Sequence, residues 1–389
     1  MKQSTAVTLT QSSLLQSLSA IADAKSEDQC ASALVAAATL IQGAIQADQP
    51  VDSFNEALGA CPDNLRPQLA ATMDRAVSFH LQEDGGTLGL WLVPVVLQAD
   101  DILPPVLPLE TASMHAMRLN AALLNQFKLT REHLAASSPL GWTFLLPELY
   151  AYEQLSAADI GELIRLPQQA RAKVQGGRRD IRFWTCDEQP REDARTQLYF
   201  LPVVAYHPAH AQVGVPAASE VVVQRLTTWI RKSLPNFNEE TLAVRVGSQP
   251  QPFAVGLTAG TRLRSDVRFR DIMSEVVQRS GVEPNGMAAL VAPYSTQNRD
   301  GEIMLGVSLV SRLTGSRVAT VALPVESNTG SEEVALATSL LKEMGMFCTQ
   351  HHAAPINTFA CQHCGGIQFA NPAPEVVRRG VEGPASNMH

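Results

Sequence analysis

The sequence predicts an α/β (α+β) chain: an N-terminal helical region followed by tandem ferredoxin-like plait repeats, the third abbreviated. Three observations lead there. Apolar residues recur at helical spacing through the first eighty positions. The motif Leu90-Trp91-Leu92-Val93-Pro94-Val95-Val96 returns as Leu198-Tyr199-Phe200-Leu201-Pro202-Val203-Val204, and Leu107-Pro108, Val215-Pro216 and Leu323-Pro324 stand at the same interval. A chain of 389 residues with 45% hydrophobic content is long enough for several domains and apolar enough to fill their cores.

The helical region comes first. Ser12 and Ser13 can cap a segment carrying Leu14, Leu15, Leu18, Ile21 and Ala22, and the pattern resumes through Leu34, Val35, Leu40 and Ile41. A second segment follows Asp63, with Leu65, Leu69, Met73, Ala76, Val77 and Leu81 on one stripe and Pro67 tolerated in its first turn. Glu83-Asp84-Gly85-Gly86 ends it and suggests a boundary.

Each repeat then opens with an apolar strand. A helix follows each Leu/Val-Pro pair, over 112–127, 219–234 and 331–344. Two short strand-like runs around a polar turn come next, with Phe144, Phe253 and Phe359 opening the second run. Copies one and two add another helix, begun at Ser156 and Asp266, and a last strand, over 180–186 and 287–292. Strand, helix, strand, strand, helix, strand is the order of a ferredoxin-like plait. The implied organisation is 1–86 helical, 87–190 first repeat, 191–298 second repeat, 299–370 abbreviated third repeat, and 371–389 a flexible tail.

Charge and cysteine usage narrow the function. A net charge of -8 disfavours wholesale binding to nucleic acid or anionic membrane. The N-terminus lacks a secretory pattern, and the apolar stretch 31–47 is interrupted by Gln42 and Gln46. Cys30, Cys61 and Cys186 stand singly, as reduced core thiols would. A cytoplasmic protein with no membrane insertion is expected.

The densest chemistry lies near the end, in Cys348, His351, His352, Cys361, His363 and Cys364. Cys348-x2-His351 and Cys361-x2-Cys364 are spaced to hold one structural zinc between two knuckles, the second followed by Gly365-Gly366. The competing reading is a pair of buried thiols on a regular hairpin, with Cys348 opposite Cys361 and the turn at 354–357; on that ladder the four ligands cannot converge. Elsewhere, His207 and His210 flank a loop after the second copy's first strand. Arg262, Arg264, Arg268 and Arg270 form the densest basic run, interleaved with Asp266 and Asp271 as ion pairs on a wet face would be.

The common nucleophile-elbow, phosphate-loop, dinucleotide and metalloprotease motifs are missing from the sequence. The expectation is a soluble, bacterial-type, non-catalytic adaptor or scaffold subunit that binds a protein partner or itself. The alternative is an enzyme or small-ligand-binding protein with a site between repeats, near His207, His210 and the cluster.

Overall fold

The N-terminal apolar stripes form helices in the computed structural model. Helix α1 (Gln11–Ala22) begins at Thr10, where Thr10 and Ser13 cap each other's backbone N–H groups. Helix α2 (Glu27–Gln46) is capped by Ser26, and α3 (Arg66–Ser78) carries Pro67 in its first turn. By length and composition α2 would also suit a bilayer, yet Ala37, Ala38, Ile41 and Ala44 are buried in the fold. Gln42, buried among them, donates from Nε2 to the carbonyls of Ala76 and Phe79 at 2.8 Å each, which ties α2 to the end of α3.

The structure describes residues 10–47, 56, 59–99, 103–126, 141–176, 196–209, 220–234, 242–247, 249–295, 303–325, 330–351, 356–360 and 367–369. Among them are nine helices and two largely antiparallel sheets, so the chain is mixed α+β. It divides into two compact units, Met1–Arg264 and Ser265–His389.

In the first unit, β1 (Phe79–Leu81) turns at 82–86 into the long β2 (Thr87–Ala99). Next come β3 (Val106–Pro108), α4 (Met114–Gln126), β4 (Trp142–Leu145), β5 (Glu148–Ala151), α5 (Tyr152–Ser156) and α6 (Ile160–Val174). The long β6 (Thr196–His207), α7 (Glu220–Ser233), β7 (Leu242–Val246), β8 (Gln251–Pro252) and the first part of α8 (Phe253–Ser280) complete it, the division between units falling within α8.

Strands β2 and β6 carry the repeated motif and pair antiparallel at the centre of one eight-stranded sheet. Both are buried on both faces, which is why they read as continuous apolar runs. Trp91, Val93, Tyr199 and Leu201 face α4 and α7 through Leu119, Leu123, Leu226 and Trp229. On the opposite parity α8 comes close: a side chain added at Gly260 would meet the Phe200 ring at 2.5 Å.

Separate plaits would each carry their own sheet. Here β2 and β6, the strands of the two matching motifs, are neighbours instead, with Val93 opposite Leu201. The strand pair β4 and β5 lies along β6, and β7 and β8 lie along β2. The registers match: Trp142 meets Tyr206 as Ala243 meets Gln98, and Tyr150 meets Phe200 as Gln251 meets Leu92. Helices α5 and α8 then start at Tyr152 and Phe253. The equivalent of Phe253 is therefore Tyr152, not Phe144, which sits inside β4.

Proline explains why the flanking strands are broken. It offers no N–H to a ladder, so a neighbour cannot pair fully beside it. On β2 the break falls between the residues paired with Leu92 and Val95, opposite Pro94; on β6 it falls between those paired with Phe200 and Val203, opposite Pro202. One bond closes each gap: Gly247 N–H donates to the Pro94 carbonyl at 2.8 Å, and Leu146 N–H to the Pro202 carbonyl at 3.1 Å. Because N and C=O of one strand residue point the same way, the missing N–H faces the gap. Replacing Pro94 by Ala would add a buried N–H with no acceptor, at a cost of about 1–3 kcal/mol. The urea midpoint should fall accordingly; an unchanged or raised midpoint would contradict this account of the break.

The second unit strings β9 (Met287–Ser295), β10 (Ile303–Ser311) and β11 (Arg317–Pro324) into a meander before α9 (Ser331–Glu343). Val334, Ala337, Leu340 and Leu341 of α9 cover Val291, Leu305, Val307 and Leu309. Next, β12 (Phe347–His351) and β13 (Ile356–Ala360) follow one another along β9, both parallel to it, and β13 turns antiparallel onto β14 (Ile367–Phe369). The expected hairpin between 347 and 364 is thus not formed, since both runs take their ladder from β9. Their break again falls opposite a proline, Pro293.

Candidate functional site

The Cys/His cluster is reached through β12. Cys348 stands at the register of Ala289 and His351 at that of Val291, two rungs apart on β9, because β12 is irregular between Cys348 and Gln350. Cys361, Cys364, His352 and His363 lie outside the described residues, as do His210, the 180–186 segment and the 371–389 tail. Among the described residues no group of three or more His, Cys, Asp or Glu side chains converges on a metal position.

His207 ends β6 inside the first unit's core, 1% exposed, with its ring 6.5 Å from that of Trp91. Burial pulls its pKa down to about 4, so the imidazole is neutral near pH 7. An enclosed ring is poorly placed to meet a substrate. His80, on β1, shares this state: burial lowers it to about 4 against the opposing effect of the Val77 carbonyl, 3.2 Å from Nε2.

The basic run lies along α8. Arg270 reaches Asp266 at 2.6 Å and Glu343 at 2.5 Å, and those carboxylates raise its pKa. The Arg264 guanidinium sits over the Tyr152 ring at 5.5 Å, and Arg262 and Arg268 each have interactions of their own. Part-exposed pairs of this kind contribute up to about 1 kcal/mol each. Within the run, Arg270 is thus held in ion pairs, one of them with the interleaved Asp266.

Other buried ionisable groups hold the sheet together. Tyr206 donates to Asp84 Oδ2 at 2.8 Å while Gly86 N–H donates to Oδ1 at 2.9 Å, which fastens the β1–β2 turn to β6. Tyr150 donates to Glu148 in a short bond, and burial followed by that carboxylate raises its pKa. Each such group is already committed to a local partner.

Two features escaped the sequence reading. The first is a cleft of about 120 Å³ lined by Val35, Ala38, Thr39, Arg75, Phe79, Leu81 and Thr87. Arg75 falls on the same helical face as Thr72, Ala76 and Phe79, where a charge interrupts an otherwise apolar stripe; that interruption was the available signal. The second is the outer edge of β11, along which no strand pairs among the described residues. Beside it the sheet face away from α9 carries Leu290, Met304, Ser308, Val310, Thr320 and Ala322, half-buried or exposed, with Arg317 opposite Val310 as the charged residue at its end.

Searches against protein-family models, curated proteins and solved structures return no match for this chain.

Proposed function

We propose that the chain is a non-catalytic adaptor or scaffold subunit that holds another protein chain by strand addition along β11. The open edge of β11 is the observation that carries this reading. Its outward backbone groups, unpaired among the described residues, are a template for an extended segment, and the adjoining face, uncharged apart from Arg317 at its end, can receive apolar side chains from that segment. The edge is bracketed by the irregularity beside Val310 and by Pro324, leaving a short window around 319–323. A short window admits one strand and discourages indiscriminate stacking.

Size-exclusion chromatography of native lysate with light scattering tests the proposal. The protein should travel well above its 41.9 kDa chain mass. Adjacent residues send their N–H groups to opposite sides of a strand, so one of Thr320→Pro and Val321→Pro blocks the outer edge while sparing the ladder to β10. That variant should keep native circular dichroism and run at the mass of one chain. Wild-type protein running as a lone chain would overturn the reading.

We further infer that the scaffold arose by internal repetition, with 87–190 interlocked with the part of 191–298 that precedes β9. The equal registers on β2 and β6 support this, and the proline-matched breaks extend it to β9. A structural zinc held by Cys348, His351, Cys361 and Cys364 belongs to the same proposal, as a clasp for the last repeat. Metal analysis of protein purified without chelator should give one zinc per chain, reduced in Cys361→Ser; metal-free folded protein would remove the clasp.

A further inference from the structure

We propose that the cleft between α2, α3 and the start of β2 binds a small monocarboxylic acid with a short apolar tail, its carboxylate paired with Arg75. Arg75 is the charged side chain in the lining of this cleft. Its guanidinium lies over the Phe79 ring at 4.6 Å and donates to no acceptor among the described residues. A guanidinium carries five N–H donors, and those of the half-buried Arg75 line the cleft, where a ligand carboxylate can take them. Burial depresses the Arg75 pKa, and Asp74 opposes that shift only partly. Asp74 is itself engaged: its Oδ1 accepts from the Ser78 hydroxyl and from the Ala254 N–H, each at 3.0 Å.

The rest of the lining defines the ligand. Val35, Ala38, Phe79 and Leu81 give apolar walls, with Leu81 59% exposed at the lip. Thr39 spends its proton on the Val35 carbonyl at 2.8 Å, whereas the Thr87 hydroxyl at the start of β2 can add a second donor to a carboxylate. A volume near 120 Å³ approaches that of an apolar cavity known to take a benzene ring. A single negative head with a tail of four to six carbons, roughly, fits both the charge and the room. Phosphate would leave the apolar walls uncovered, and a neutral amide would leave the guanidinium unpaired.

Calorimetric titration of the full chain with benzoate, benzamide and inorganic phosphate tests the site. Benzoate should saturate with a Kd on the order of 1 mM, the range open to a ligand of fewer than ten heavy atoms. Benzamide and phosphate should bind at least about tenfold more weakly. Arg75→Met should stay folded by circular dichroism and lose benzoate binding by a similar factor. Leu81→Glu, a change at an exposed position, should weaken it as well by placing a competing carboxylate at the lip. Equal binding of benzamide, or no saturation with benzoate in folded wild-type protein, would overturn the proposal. A tripeptide ending in leucine that bound tenfold more tightly than benzoate would also overturn it, by assigning the cleft to chain termini.

Discussion

Acidification from about pH 7 to about pH 4 should destabilise the first unit by roughly 6 kcal/mol, through His80 and His207 alone. Each ring is 1% exposed and each has its pKa lowered from 6.5 to about 4. Between those values the unfolded chain binds a proton at each histidine and the folded chain does not. Stability is therefore complete above about 6.5, falls as the pH drops through the window, and levels off below about 4. One pKa unit corresponds to about 1.4 kcal/mol, so each ring accounts for about half of the total. Urea midpoints measured across this range should trace the loss. His207→Phe, which keeps a ring beside Trp91, should flatten roughly half of the slope; identical slopes in variant and wild type would show that His207 is not the source.

The other large effect is expected at Trp229. Helix α7 sits on the sheet through Val222, Leu226, Trp229 and Ile230, and the indole is fully buried there. Its Nε1 donates to the Glu110 carbonyl at 2.8 Å, which also ties α7 to the segment leading into α4. Trp229→Ala removes the largest side chain of that helix from the core and should cost about 3–5 kcal/mol. Trp229→Phe keeps most of the packing and loses the hydrogen bond, with a loss nearer 1–2 kcal/mol. If the two variants unfolded at the same urea concentration, packing would not be the dominant contribution at this position.

The extent to which the sequence was readable can be judged from particular residues. The stripes from Leu14 to Ile41 and from Leu65 to Val77 announced α1 to α3 because helical spacing is a local property. The helix at Phe253 is hidden in the sequence, where it reads as a strand, because its caps come from far away. The Phe253 N–H donates to Ser78 Oγ and the Ala254 N–H to Asp74 Oδ1, both at 3.0 Å. Those capping groups lie on α3, so no local pattern could reveal them.

The breaks near Pro147 and Pro250 carry the same residues that close a hairpin. Only the neighbouring strand decides whether the chain reverses there or runs on. The matching motifs around Pro94 and Pro202 are visible in the sequence, whereas the proline-centred strand around Pro293 stands at a different spacing and reads there only as the last strand of the second expected copy. In the candidate site, His207 was found but its enclosure was not, since burial depends on the whole sheet. Arg75 was passed over because a single charge near an apolar stripe is common.

The prolines in the middle of the long strands also matter before the fold exists. Leu88 to Val96 and Leu198 to Val204 are apolar, poor in charge and rich in β-forming side chains, the composition that stacks between newly made chains. A proline at the centre of each denies a continuous row of donors to any copy that docks beside it. Native neighbours meet this by breaking opposite the proline, which a stranger's unbroken strand cannot do. The residue that interrupts the sheet thus makes each long strand a poor template for a second unfolded chain.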